Sequence, residues 1–384
     1  MSRLSMQPVK RGISSFNEYC KLAAFIAGAS VIFMITTGCV SAPQAAPDAS
    51  GGAAISTSQN GISSVITEDV LHTSDQFTGK TTLDYPDGTY TGDVLNGVRS
   101  GHGVMEYQNG NRYEGGWDNN ARSGFGILVW VDGNEYTGDW ANDARTGTGT
   151  FTWVSGAVYE GAWENNSRSG HGVMMQTNGD VYEGNWKDDK KSGDGIFIWA
   201  SGDVYEGNWE NDARNGEGVY SWTNGSVYAG EWADDARSGF GVMTHLSGNR
   251  YEGEWENGEK SGDGNFTWEN GDVYEGQWSG DLRNGYGEMV FSNGDSYEGE
   301  WENGVISGEG TYTWENGDVY DGEWENEVRS GNGTNTWANG DVYVGGYLNN
   351  LRSGYGVFTP ASGDVLDGIW EEGFFIGNES ALSG

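Results

Sequence analysis

The sequence predicts an all-β chain, an elongated single-layer antiparallel sheet of stacked 23-residue β-hairpins, preceded by an N-terminal apolar signal helix and a disordered tether. Three observations predict it. Tyrosine recurs every 23 residues from Tyr90 to Tyr343, with Leu366 in the thirteenth place, and no insertion breaks the register. Glycine recurs with it at the third, twelfth, fourteenth and twenty-first positions of the repeat, which together hold 50 of the 66 glycines. Within a copy the period is two rather than 3.6, so aromatic residues and glycine fall on one side of a strand and carboxylates on the other.

Composition excludes the competing classes. A chain of 384 residues with 18 tryptophans and 20 tyrosines is too aromatic for a disordered linker. Glycine does not recur at every third place, as a collagen would require. The formal charge is −37, and residues 39–384 hold 16 basic and 56 acidic residues, or 16 − 56 = −40. A body this acidic repels nucleic acid, and it repels anionic headgroups at long range. Both cysteines, Cys20 and Cys39, lie in the first 39 residues, which leaves the body without a disulfide or a catalytic thiolate.

The N-terminus reads as an address. Leu22 to Thr37 is an apolar run preceded by Arg3, Lys10, Arg11 and Lys21. Sixteen residues of helix reach ~24 Å, short of the ~30 Å hydrocarbon thickness. A basic segment, a short apolar core and small residues beyond it describe a signal peptide or an uncleaved signal anchor over residues 1–38. The run ends in Thr36-Thr37-Gly38-Cys39, which resembles a bacterial lipoprotein signal with Cys39 as the lipid attachment residue; Thr36 departs from the usual aliphatic residue. Either reading exports the acidic body to the cell envelope and keeps it at a membrane. Residues 39–78, rich in Ala, Ser, Gly and Gln, form a flexible tether.

The repeat itself is legible as chemistry. In Tyr251-Glu252-Gly253-Glu254-Trp255-Glu256 the rings and glycine alternate with carboxylates, and Gly264, Phe266 and Trp268 share one side of a second strand. Turns are expected at Ser261-Gly262 and at Asn270-Gly271-Asp272, since Asn-Gly suits a tight hairpin. Glycine beside aromatics predicts rings lying flat over backbone where a Cβ would clash. At ~4.8 Å per strand, twelve two-stranded copies make a ribbon of about 115 Å. The Y-E-G-x-W unit, the polar turn, G-x-G and the closing N-G-D, as in YEGEWENGEKSGDGNFTWENGD from Tyr251, resemble the MORN repeat. That resemblance implies a row of β-hairpins and an assembly module. The array is expected over residues 79–377, a half-copy plus about twelve copies. Val94, Tyr347 and Leu366 replace repeat aromatics toward its ends, and residues 378–384 form a tail.

Candidate sites are few. Eleven basic residues share the tenth position: Arg99, Arg122, Arg145, Arg168, Lys191, Arg214, Arg237, Lys260, Arg283, Arg329 and Arg352. They make an interaction seam for an acidic partner, or else turn chemistry in which each pairs with a nearby carboxylate or covers a tryptophan face. Carboxylates on flat strands offer no calcium cage. His102 and His171 are three copies apart, and His245 stands in an aromatic place as a core substitute. No catalytic residue, metal site or cofactor is expected. The expected function is a non-enzymatic envelope-tethered scaffold, a membrane-anchored lipoprotein of bacterial type that binds a protein partner or an envelope component. The alternative is glycan, cell-wall or lipid-headgroup binding through the aromatic–glycine face.

Overall fold

The computed structural model describes residues 78–378; the signal segment, Cys39, the tether up to residue 77 and the tail beyond Asn378 lie outside the described residues. Twenty-seven strands, from β1 (Gly79–Tyr85) to β27 (Phe374–Gly377), form one open sheet, and no helix occurs among the described residues. Each strand pairs antiparallel with the next in sequence, from Gly79↔Val94 at one end to Glu371↔Phe374 at the other. The sheet is therefore a continuous meander, with local contacts only.

One copy shows how the sequence makes the hairpin. Strand β16 (Arg250–Glu256) is joined to β17 (Glu259–Thr267) by the pair Asn257-Gly258, with φ of 52° and 88°. Two consecutive residues with positive φ give the turn whose twist matches the strands it joins. This corrects one of the two expected turn positions. Ser261-Gly262 does not precede the second strand but lies within it, where the register shifts opposite Gly253/Glu254 and Gly262 takes φ 56°. The extra residues form a bulge rather than a break because glycine adopts that φ without strain. Its loosened backbone N–H groups are met by the fourth-position side chain: Thr148 N donates to Asp139 (2.9 Å) and Asn332 N to Glu323 (2.7 Å). Asn270-Gly271-Asp272 belongs to the longer loop before β18 (Val273–Ser279), closed by Trp268 N donating to Asp272 O at 2.9 Å.

A single-layer sheet buries its aromatics by laying them on its own backbone. Tyrosines at the first position, from Tyr90 to Tyr343, are all but inaccessible, and the fifth-position tryptophans are nearly so. The Tyr113 ring lies over Gly115 and Gly126, which face each other across adjacent strands. A Cβ on Gly126 would strike the Tyr113 hydroxyl and ring carbons, and one on Gly115 would meet the Gly126 backbone. The phenol then donates to Gly116 O at 3.0 Å. Above it, Trp117 and the next copy's Trp140 close edge-on, with centroids 5.2 and 5.5 Å away and planes 89° and 84° to the tyrosine. Each such pair adds ~0.5–1.5 kcal/mol beyond its buried area. Trp140 Nε1 donates to Gly126 O (3.3 Å), so the indole leaves no polar group unmet. The same set recurs down the array, as in Trp324 to Gly310 O at 3.0 Å. At the ends Val94 and Tyr347 fill the tryptophan place and remain buried, and Leu83 and Tyr85 of the half-copy pack against the core.

Two outcomes follow from this packing. Gly126→Ala should destabilise the array by about 1–3 kcal/mol through overpacking, read as a shift in the denaturation midpoint. Gly258→Asn should stay within ~0.5 kcal/mol, because that turn site is open and Asn120 and Asn166 occupy its equivalents. The second concerns alkali. Burial pushes the phenols of Tyr90, Tyr159, Tyr205 and Tyr274 up to about 12 from the ordinary 10.0. A raised folded-state pKa stabilises the fold fully below pH 10 and loses that contribution as the pH climbs from 10 to about 12. Phenolate absorbance should thus rise for the buried tyrosines only above pH 10, together with loss of strand signal.

Candidate interaction surface

The basic column lies where the sequence placed it, along the hairpin-turn edge, and each member reaches into the next copy. The Arg168 guanidinium stacks on Trp186 at 4.1 Å; Arg99, Arg122, Arg145, Arg214, Arg237, Arg283 and Arg352 stack likewise on tryptophans at 4.0–4.4 Å. Arg329 covers Tyr347 at 5.2 Å, and Lys191 covers Trp209 at 4.0 Å. Each of the nine arginines also donates through Nη2 to a backbone carbonyl at the next turn, such as Arg168 to Asp189 O at 2.6 Å and Arg352 to Gly373 O at 3.0 Å. Burial holds the guanidiniums of Arg145, Arg237, Arg283 and Arg352 and the Lys191 ammonium below their ordinary values. The seam is thus a row of staples between hairpins, and its remaining faces line a groove.

That groove runs on the aromatic side. One wall is the turn edge with its stacked arginines, and the other is the long loop that begins with a half-buried ring at the eighteenth position. Between Trp130 and Trp153 it encloses about 380 Å³, with Phe151 and Trp163 as its floor and Asp132, Asn134 and Arg145 among its polar lining. Phe151 packs on Trp153 at 4.5 Å and on Trp130 at 5.3 Å, both tilted, so neither indole is sealed. The groove recurs between Tyr107 and Trp130, at about 330 Å³, and beside Trp337 and Phe358, at about 430 Å³. Tryptophans at the fifth position are closed to ligands; those at the eighteenth are half-open. His245, in that second column, is exposed and is not a core substitute; partial desolvation, with Lys260 and Arg237 nearby, holds its imidazole below the ordinary value. No group of three His, Cys, Asp or Glu among the described residues is placed to hold a metal ion.

Two polar columns, legible in the sequence only as turn formers, tie the copies together. At the turn edge Asp143 Oδ1 accepts from Arg122 N (3.0 Å) while Asp143 N donates to Arg122 O (3.1 Å), a reciprocal clamp repeated by Asn166 on Arg145 and Asp189 on Arg168. At the loop edge Asp203 accepts from Thr223 N and Asp272 from Ser292 N, both at 2.8 Å. Those backbone donors hold the Asp203 and Asp272 carboxyls below the ordinary carboxylate range, as Glu315 N does for Asp295. The sequence signal was there: Asn or Asp fills most of these places, although Gly97, Gly258, Gly304 and Gly373 stand in the turn column and Ala157 and Ser226 in the loop column.

A family model described as MORN repeat matches twelve consecutive segments, 90–112 through 343–365. Comparison with curated proteins finds no match. Among solved structures, the TCP10 domain of CPAP from Danio rerio is similar at a TM-score of 0.31 and 11% identity, over 53% of this chain and 96% of that one. The SAS-4 (dCPAP) TCP domain of Drosophila melanogaster, in complex with a proline-rich motif of Ana2, has a TM-score of 0.26 and 11% identity, over 46% and 90%. BamB from Moraxella catarrhalis has a TM-score of 0.12 and 10% identity, over 69% and 93%. Likeness at these scores carries no argument about this chain.

The stapling role of the basic column has a direct test. Arg168→Ala should lower stability by about 1–3 kcal/mol, the sum expected of a partly exposed cation–π contact, the hydrogen bond to Asp189 O and the exposed Nε–Asp189 carboxylate pair at 3.0 Å. Arg168→Lys should recover part of that loss, since Lys191 already serves one copy. Equal losses in the two variants, read by chemical denaturation, would contradict it.

Proposed function

The chain belongs to the MORN-repeat family, and we propose that it is a non-enzymatic scaffold, held at the cell envelope through its N-terminus, which binds a protein partner along the aromatic groove. The observation that supports this most is the recurrence of one groove at several copies, each with a half-open ring and the same polar rim. A repeated, shallow, amphipathic channel suits an extended protein ligand, and catalysis needs converging groups at one place. The surrounding −37 favours a partner that sets apolar side chains into the groove and basic ones against the carboxylates.

One observation favours a second reading, glycan binding: Trp130 and Trp153 present partly open faces beside Asp132 and Asn134, a combination that can stack and hydrogen-bond a sugar ring. Lipid-headgroup binding is disfavoured by the acidity of the chain. Envelope attachment through Cys39 rests on the resemblance of Thr36-Thr37-Gly38-Cys39 to a lipoprotein signal.

Capture from envelope extract separates these readings. The full chain should retain a protein that a Trp130→Ala/Trp153→Ala chain with intact strand signal loses by tenfold or more. Retention of purified N-acetylglucosamine hexamer, with no protein captured, would shift the assignment to glycan. In cells, Cys39→Ser should abolish labelling by a palmitate analogue; an unlabelled native chain would remove the lipoprotein anchor.

A further inference from the structure

The half-open rings at the eighteenth position are not spread evenly along the groove. Gln176 and His245 interrupt the column, and beyond His245 it runs unbroken through Trp268, Phe291, Trp314 and Trp337. Neighbours in this run are one copy apart, about 9.6 Å at ~4.8 Å per strand. Rings of the sixteenth position hold them in line: Tyr312 packs on Phe291 at 6.0 Å and on Trp314 at 4.6 Å. The fifth-position indoles use their N–H on the sheet, as Trp301 does on Gly287 O at 3.2 Å. Among the described residues no oxygen accepts from Nε1 of Trp268, Trp314 or Trp337, and none of the three side chains is buried. Each presents the groove with part of a ring face and a donor that has no partner.

The same run is the acidic part of the loop wall. Its twenty-second position is Asp272, Asp295, Asp318 and Asp341 without interruption, whereas Asn111, Asn134, Ala157 and Ser226 hold that place in earlier copies. Asp318 and Asp341 line the 430 Å³ stretch of groove beside Trp337. Glu269 and Glu315 add two exposed carboxylates at the loop tips. On the opposite wall stand Arg283, Arg329 and Arg352, each laid on a ring and donating to a carbonyl, and Ile306 takes the fourth place. Carboxylates outnumber guanidiniums along this stretch, and they are the groups left facing outward.

We propose that the groove from Trp268 to Trp337 takes a basic, proline-rich segment of a partner protein in the polyproline II conformation, with prolines three residues apart. The inference rests on the protein-binding reading of the groove and adds the conformation and chemistry of the occupant. Period selects the conformation. Polyproline II turns once in three residues and ~9.3 Å, so successive prolines meet successive rings and drift by only about 1 Å over three copies. Seven residues of α-helix advance ~10.5 Å and drift by about 3 Å over the same length. A strand sends residues three apart to opposite faces. Chemistry selects the same occupant. Polyproline II makes no internal hydrogen bonds, so its carbonyls are free to accept from the indole N–H groups. Proline rings dock on aromatic-lined grooves of this kind. The row of carboxylates calls for arginine or lysine between the prolines.

Titration of the full chain in detergent tests it, with a synthetic peptide of four turns that carries proline at every third place and arginine beside each. This peptide should bind about tenfold more tightly than one with alanine in place of proline, and added salt should weaken it. Trp314→Gln with Trp337→Gln should lose about tenfold in affinity with strand signal intact, since Gln176 already holds the same place. Asp318→Asn with Asp341→Asn should reduce the salt dependence and leave the preference for proline. Equal binding of the two peptides, or binding that survives the loss of both indoles, would overturn the proposal. So would failure of the proline peptide to bind; if capture from envelope extract then still depended on Trp130 and Trp153, the protein-binding reading would stand without it.

Discussion

The fold depends on a tyrosine ring lying flat on two glycines. Tyr113 covers Gly115 and Gly126, which face each other on paired strands, and its hydroxyl reaches the Gly116 carbonyl at 3.0 Å. A single-layer sheet has no second sheet or helix against which to bury its apolar face. Here the backbone itself serves as that second layer, which requires that no side chain stand between ring and peptide. The requirement explains why glycine occupies two strand positions at which it would otherwise weaken the sheet. It also explains why the glycine pairs under each ring keep their register, with the shift confined to the bulge beside them: a slip of one residue there would set a Cβ under every ring.

Once the tyrosine is seated, the rest of each copy organises around it. Around Tyr113 two tryptophans, one from the same copy and one from the next, close edge-first, and Arg122 covers the outer indole; most copies repeat this, while Ile306 holds the basic place in the copy from Tyr297. The contacts therefore link neighbours as strongly as they complete a hairpin. In such an array stability is a sum of nearest-neighbour terms, and a damaged copy weakens its two interfaces without dissolving the whole. Aspartate and asparagine at both edges add clamps of the same kind, Asp143 on Arg122 at the turns and Asp203 on Thr223 at the loops.

Function follows from what this arrangement leaves open. The fifth-position indoles are consumed by packing, whereas those at the eighteenth position form one wall of a groove that recurs along the sheet. The arginines look in sequence like a positively charged rail, but each has one face on a ring and one N–H on a carbonyl, so the groove presents a mixed polar rim. Repetition of a modest surface suits binding along a length, and the carboxylates of the outer face discourage edge-to-edge pairing of the sheet.

Fold class, repeat boundaries and the sorting of rings from carboxylates were determined by the sequence alone, because a period of two and a step of 23 are properties of the chain and need no knowledge of neighbours. The flat rings over glycine were also legible, from Gly264 beside Phe266 and Trp268. The place of the tight turn was not: Asn257-Gly258 and Asn270-Gly271 are equally good turn dipeptides and both lie between paired strands, and only the structure shows that the first makes the two-residue turn and the second sits in the longer loop. His245 was misread for a related reason, since its column is apolar in composition yet stands at a groove wall. The contacts of the basic column and of Asp143 and Asp203 were decided by tertiary structure. Their partners lie 20 or 21 residues away on the next copy, and contact across that distance depends on strand register, which the pattern of side chains within one repeat does not contain.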